Sequence, residues 1–197
     1  MNHSLDGKKI IITGGTSGIG QATALMAAEA GADIAFCGLS EEGAEKTIQG
    51  VKKFGKNSFF QVFDIGDLKA ARKFVNDSIK FLGGLDGLFN NAGTNFWHGV
   101  SNAKIDQIQR CMDVNFYSAW AISQEAYPAL KDNHGGVIQH VINSCRTHPS
   151  WCISIQCFKG CYGSYDQIYG FRVGKRQHTG ISHSTSFNPD TSCSGIL

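Results

Sequence analysis

A doubly wound α/β fold, a parallel sheet with helices on both faces, is what this sequence predicts over its first 143 residues, and three observations predict it. Short apolar runs alternate with stretches of helical length and periodicity, the order that βαβ units require. The runs are apolar at nearly every position rather than at alternate ones, as strands covered on both sides must be. The first run also passes through a cluster of glycines straight into a helix-forming stretch.

Taken in order, KIIIT at residues 9–13 reads as a strand that stops where the glycines begin. Residues 19–30 form an alanine-rich helix, with Leu25 and Met26 supplying the larger apolar contacts. A second strand covers 32–37 and a polar-faced helix 41–54, followed by a third strand at 58–63. In the helix expected at 68–82, Ala71, Phe74, Val75 and Ile79 recur at the spacing of a single buried face. A fourth strand spans 85–90, a long helix 105–130, and a fifth strand 137–142 after the break at Gly135 and Gly136. Right-handed crossovers then place ligands at the carboxyl ends of the strands.

Composition narrows the classes of function. At 197 residues and 42% hydrophobic content, the chain can bury one sizeable core but not two comfortable ones. A formal net charge of +2 supplies no field to recruit nucleic acid or an anionic membrane, so neither is an expected partner. No apolar run approaches the roughly 20 residues of a membrane-crossing helix. The opening residues lack the pattern of a secretory leader, and a cytoplasmic location is expected.

The candidate site begins at the glycine cluster, Thr13-Gly14-Gly15-Thr16-Ser17-Gly18-Ile19-Gly20. Small residues there permit a tight turn, close approach of backbone to a diphosphate, and close packing of helix on strand. Unpaired N–H groups at the helix start then attract an anion. Three further short motifs follow in order: Asp64-Ile65 after the third strand, Asn90-Asn91-Ala92-Gly93 after the fourth, and Asp113-Val114-Asn115 within the long helix.

Together these resemble the short-chain dehydrogenase/reductase family, whose nucleotide-binding fingerprint TGxxxGxG is matched by TGGTSGIG. The resemblance implies a Rossmann-type sheet, an NAD(P) cofactor, and hydride transfer between that cofactor and a small-molecule carbonyl or secondary alcohol. It implies that Gly14, Gly18, Ile19 and Gly20 hold the pyrophosphate, with Thr13, Thr16 and Ser17 also in the cofactor site. Leu39, Asp64 and Ile65 would border the adenosine, and Asn91, Ala92 and Gly93 the ribose side. Asn115 would hold a proton-relay water. Simpler roles stand beside these: Asp64 as a helix cap, Asn91 as a turn residue, and Asn115 as a helix-interior residue bonded to backbone. The segment Phe36 to Ser40 offers neither the acid that binds an adenosine 2′-hydroxyl nor an Arg. Absence of the acid favours NADP, with Ser40 available to a 2′-phosphate. Family members commonly dimerise through the long helices after strands four and five. Only the first of these, at 105–130, is intact here, so the homo-oligomer that the resemblance implies is weakened by loss of the C-terminal part. Asn95-Phe96-Trp97-His98 is a candidate wall for the substrate.

The remainder, 144–197, departs from this pattern and is expected to be a poorly ordered, aberrant tail. Of seven cysteines only Cys37 and Cys111 precede residue 145. Cys152, Cys157 and Cys161, with His148, have spacings that fit no paired zinc knuckle, and no metal is expected. Ser144 matches the family's carbonyl-binding Ser, or is a strand-end Ser bonded to a turn. The family's Tyr-x-x-x-Lys pair is expected to be missing, since Tyr162, Tyr165 and Tyr169 are followed four residues on by Asp166, Tyr169 and Val173. One choice of codons for Ile155 to Gly163, read one base later, gives Tyr-Ser-Ala-Ser-Lys-Ala-Val-Met. We therefore expect residues from about 144 onward to be an out-of-frame reading of a catalytic half. An alternative function is a truncated, inactive nucleotide-binding fragment that pairs with a full-length homologue. Coding DNA across residues 143–163 should carry the shifted Tyr-x-x-x-Lys codons; a sequence without them removes the frame explanation.

Overall fold

The computed structural model describes residues 4–95 and 102–139, with backbone alone at Ile138 and Gln139. Five strands form one parallel sheet: β1 (Lys9–Thr13), β2 (Asp33–Gly38), β3 (Ser58–Val62), β4 (Gly87–Asn90) and β5 (Gly136–Gln139). Their order across the sheet is β3-β2-β1-β4-β5. The chain therefore winds outward from β1 to one edge, returns, and winds to the other. Crossovers leave in opposite directions between β1 and β4, and this opens a crevice above their carboxyl ends.

Helices α1 (Gly18–Glu29) and α2 (Glu41–Lys53) pack together with α1 against the central strands, and α3 (Leu68–Leu82) packs against α5 (Ser118–Asp132). Alternate strand residues feed two separate cores. Ile12, Ile34 and Phe36 meet Ala24, Ala28, Ala44 and Val51 on one face. Ile11, Ala35, Cys37 and Leu88 meet Phe74, Val75, Ile122 and Ala126 on the other. This two-sided burial is why the strands carry no polar alternation. In α1 the alanines make the contact and bring the helix close; Met26, expected to pack, is 69% exposed, and Leu25 is only partly buried.

Two boundaries differ from those expected. The fourth strand was expected from residue 85, yet β4 starts at Gly87. The Asp86 carboxylate accepts from Lys9 N at 3.0 Å and from Lys8 Nζ at 2.9 Å, so the side chain engages β1 at that point. The long helix expected at 105–130 is instead α4 (Ile105–Met112), a π turn at Asp113–Tyr117, and α5. One widened turn is enough to redirect side chains, and such turns frequently occur at functional sites. Residues 140–142 of the expected fifth strand lie outside the described residues, as does the whole segment 144–197.

Capping fixes where α3 sits. The Asp67 carboxylate accepts from Lys69 N at 2.9 Å and Ala70 N at 3.1 Å, and Gly83 closes the far end in left-handed conformation. Arg72 and Asn76 of α3 then donate to Glu125 of α5 at 2.9 and 2.8 Å, while Arg72 also donates to Gln124 at 2.6 Å. Among the described residues no helix is long and apolar enough to cross a membrane.

Phe74 is fully buried beneath Phe59 and Phe63, with ring centroids 6.4 and 5.5 Å away. Phe74→Ala should lower the unfolding free energy by about 3–5 kcal/mol in a urea titration, the cost of a large unfilled cavity. Hydrogen bonds from Asn76 and Arg72 hold the Glu125 carboxyl below its ordinary range of about 4.5. A depressed folded-state pKa stabilises above the unfolded value and loses that contribution as pH falls through the folded one. Glu125→Gln should therefore cost about 0.5–1 kcal/mol at pH 7, and the gap from the parent should close in titrations below about pH 4.5.

Candidate functional site

Thr13 is the last residue of β1, and its buried hydroxyl oxygen accepts from the backbone N–H groups of Asn91 and Ala92, both at 3.0 Å. Asn91 replies with its side-chain amide, donating to Thr13 O at 3.0 Å and Gly14 O at 3.3 Å. Two motifs nearly eighty residues apart are thus tied at the point where the sheet's winding reverses. Gly14 turns the chain with φ of 70°, a conformation side chains disfavour. Gly20, one turn into α1, packs so closely that a methyl group there would collide with the Gly14 carbonyl and the Asn91 amide. The helix lies this close because that position has no side chain.

Ser17 occupies the N-cap of α1 in extended conformation, but its hydroxyl makes no capping bond. The N–H groups of the first turn are left to an external acceptor, and the helix dipole makes an anion the favoured one.

Around this turn lies an open cleft of about 500 Å³. Gly14, Thr16, Ser17 and Ile19 form its floor; Cys37, Gly38, Leu39 and Ser40, at the end of β2, form one wall. Phe63, Asp64 and Ile65 follow from β3, and Asn91, Ala92, Gly93 and Thr94 from β4, with Arg110 and Val114 closing the far side. Eleven of the candidate binding residues singled out from sequence, Ser40 included, border this one space. Thr13, Gly18 and Gly20 shape it from behind without lining it. Ile19 and Leu39 stand more than half exposed at the mouth, apolar surfaces beside a polar floor.

Several residues resolve between alternatives. Asp64 does not cap α3, which is the work of Asp67. Its Oδ1 accepts from Gly66 N at 2.9 Å and from Arg110 Nη2 at 2.7 Å. The bond from Arg110 holds the Asp64 carboxyl below the ordinary range. Arg110 had no signal in the sequence, because it lies on α4, 46 positions from its partner. It is the one cation bordering the cleft among the described residues, and it is already paired. A diphosphate would thus be met by backbone N–H groups rather than by a free side-chain charge.

Asn115, in the π turn, is bonded to backbone, though to a distant loop rather than its own helix. Oδ1 accepts from Thr94 N at 2.8 Å and Nδ2 donates to Thr94 O at 2.8 Å. Both ends of its amide are committed, and it lies behind Thr94 rather than in the cleft. Ser40 caps α2, accepting from Gly43 N at 3.0 Å. Burial pushes the Cys37 thiol up to about 12, so it stays protonated and is no nucleophile.

The sequence reading passed over one Tyr-x-x-x-Lys spacing, Tyr127 to Lys131. It lies on α5, ahead of β5, and neither residue borders the cleft. Ser144, Trp97, His98 and the tyrosines of the tail fall outside the described residues.

Comparison with known proteins agrees with this geometry. A family model described as short chain dehydrogenase matches residues 8–150. An uncharacterized oxidoreductase of Thermotoga maritima is 33% identical over 138 residues, covering 70% of this chain and 54% of that protein. An L-rhamnose 1-dehydrogenase (NAD(P)(+)) of Sphingomonas is 30% identical over 136 residues, covering 68% and 54%. A short chain dehydrogenase from Burkholderia cenocepacia, solved in complex with NADP, superposes with a TM-score of 0.77 at 29% identity, covering 85% of this chain and 69% of that one. The chain spans about half the length of the curated relatives it matches. With a matching family model over most of its length and a fold that superposes on a solved short chain dehydrogenase, the chain belongs to the short-chain dehydrogenase family.

Proposed function

We propose that the protein is a cytoplasmic oxidoreductase that binds NAD(P) in this cleft and exchanges hydride with a small-molecule carbonyl or secondary alcohol. The observation that carries the proposal is the helix start at Ser17: an N-cap that does not cap, above a glycine floor with no room for a side chain. The residues present fit a dinucleotide. The N–H groups from Thr16 to Gly20 take the diphosphate. The Leu39 and Ile65 side chains flank the adenine, and Asp64 Oδ2, which has no partner among the described residues, accepts from its amino group. Asn91 to Gly93 stand at the ribose.

When bound, the nicotinamide supplies or accepts the hydride. Asn115 holds a proton-relay water, the role the family resemblance implies, and its side-chain amide is bonded at both ends to Thr94. Ser144 orients the substrate oxygen. We assign NADP as the preferred form. No carboxylate borders the cleft at the end of β2 to repel a 2′-phosphate, and the Ser40 hydroxyl, while accepting from Gly43 N, keeps its proton for donation.

A second reading is favoured by the tyrosines after β5, none of which has a Lys four residues on. On that reading the chain binds cofactor and turns nothing over. Positioned acid–base catalysis supplies about 10²- to 10⁴-fold, so loss of the Tyr–Lys pair alone would silence a modest enzyme.

One titration series separates the two. NADPH fluorescence with purified full chain should report saturable binding, stronger than for NADH and abolished in Gly20→Ala. Loss of absorbance of NADPH against a panel of ketones then assigns an enzyme; binding without turnover assigns the cofactor-holding fragment. No binding of either nucleotide by folded protein would overturn both.

A further inference from the structure

The carbonyls of the glycine turn are held from beneath by two residues that do not line the cleft. Thr47 lies on α2 and is fully buried. Its Oγ1 stands 3.0 Å from Gly15 O and 3.0 Å from Gly43 O, and accepts from Gln21 Nε2 at 2.9 Å. Gln21, on α1, also directs Nε2 to Thr16 O at 3.3 Å and Gly43 O at 3.1 Å. An amide nitrogen can only donate, so the Gln21–Thr47 bond fixes the hydroxyl as acceptor there and frees its one proton for a carbonyl.

Trans peptide groups are planar, with C=O and N–H pointing opposite ways. Drawing the Gly15 carbonyl toward Thr47 therefore turns the Thr16 N–H outward. Drawing the Thr16 carbonyl toward Gln21 does the same for the Ser17 N–H. Thr16 and Ser17 both border the cleft, and neither N–H has a partner among the described residues. From this geometry we infer that Thr47 and Gln21 are positioning residues that aim the diphosphate-binding amides before any ligand arrives. The inference rests on the proposed nucleotide site and adds to it a device carried on two helices, α1 and α2. A turn without these anchors has its peptides free to rotate, and binding must then order them.

Thr47→Val keeps the shape and removes the hydroxyl; Thr47→Ser keeps the hydroxyl and removes a methyl. Calorimetric titration of the full chain should show Thr47→Val binding NADPH about tenfold more weakly, the loss of roughly one hydrogen bond of preorganisation. Thr47→Ser should restore affinity. Adenosine 2′-monophosphate, which carries no 5′-diphosphate, should bind parent and Thr47→Val alike, whereas general loosening of the fold would weaken both ligands. Gln21→Met supplies the second variant should Thr47→Val fail to fold by circular dichroism, and the same selective loss is expected of it. Parent binding with unchanged NADPH affinity in the variants overturns the inference while leaving the site intact. Equal weakening toward both ligands also overturns it. Absence of binding in the parent overturns the nucleotide site itself, and the inference with it.

Discussion

The lock between Thr13 and Asn91 is the constraint on which the rest of the site depends. β1 and β4 are neighbours in the sheet, but their crossovers leave in opposite directions, so nothing in the ladder holds their carboxyl ends in register beyond Ile12 and Phe89. One hydroxyl accepting two backbone N–H groups, and one side-chain amide reaching back to two carbonyls, supplies that register. The Asn91 amide also stands where a side chain on Gly20 would have to go, so it fixes how α1 is seated. Loop, helix start and crevice wall follow from a single interstrand contact. The asparagine motif thus works first as a fastener between the ends of two strands.

Much of this was legible in the sequence because it is local. Two-sided strands declare themselves by continuous apolar runs. The α3 face declares itself at Ala71, Phe74 and Val75, all of them buried. The glycine turn declares itself because few residue types tolerate its geometry. What was illegible is what depends on distant partners. Arg110 reads as one more polar helix residue until α4 is laid across the loop after β3. Thr47 reads as a weak helix former inside α2; only the packing of α1 against α2 shows that its hydroxyl serves the turn. Asp64 and Asp67 are the instructive pair. Both follow β3, either could cap α3 by type, and three residues of chain decide that one caps while the other faces the cleft.

The π turn illustrates the same divide. Periodicity from 105 to 130 suggests an unbroken helix, and no Pro or Gly interrupts it at 113–117. The widening answers a tertiary demand. Asn115 must present its amide squarely to both backbone groups of Thr94, while Val114 and Ser118 stay buried on neighbouring faces. The π turn coincides with these contacts, one of which reaches a loop more than twenty positions back in the chain. Helix periodicity carries no trace of that distant partner.

The architecture also separates holding a nucleotide from acting on a substrate. Every group that shapes the cleft lies before Asn115, and the two cores that support it close among β1 to β4 and the helices that precede β5. The proposed binding of a nucleotide therefore draws on residues 14–114 alone. Catalysis asks for something different: a proton donor whose pKa is lowered by a neighbouring cation, both placed against the cleft from beyond β5. Tyr127 and Lys131 have the right spacing and the wrong address, being carried on α5 before the chain has returned to the sheet. Spacing along a helix sets which residues share a face; only topology sets what that face looks at. Because the residues around the cleft and the proposed catalytic residues lie in different parts of the chain, affinity for a nucleotide and turnover must be measured as separate quantities.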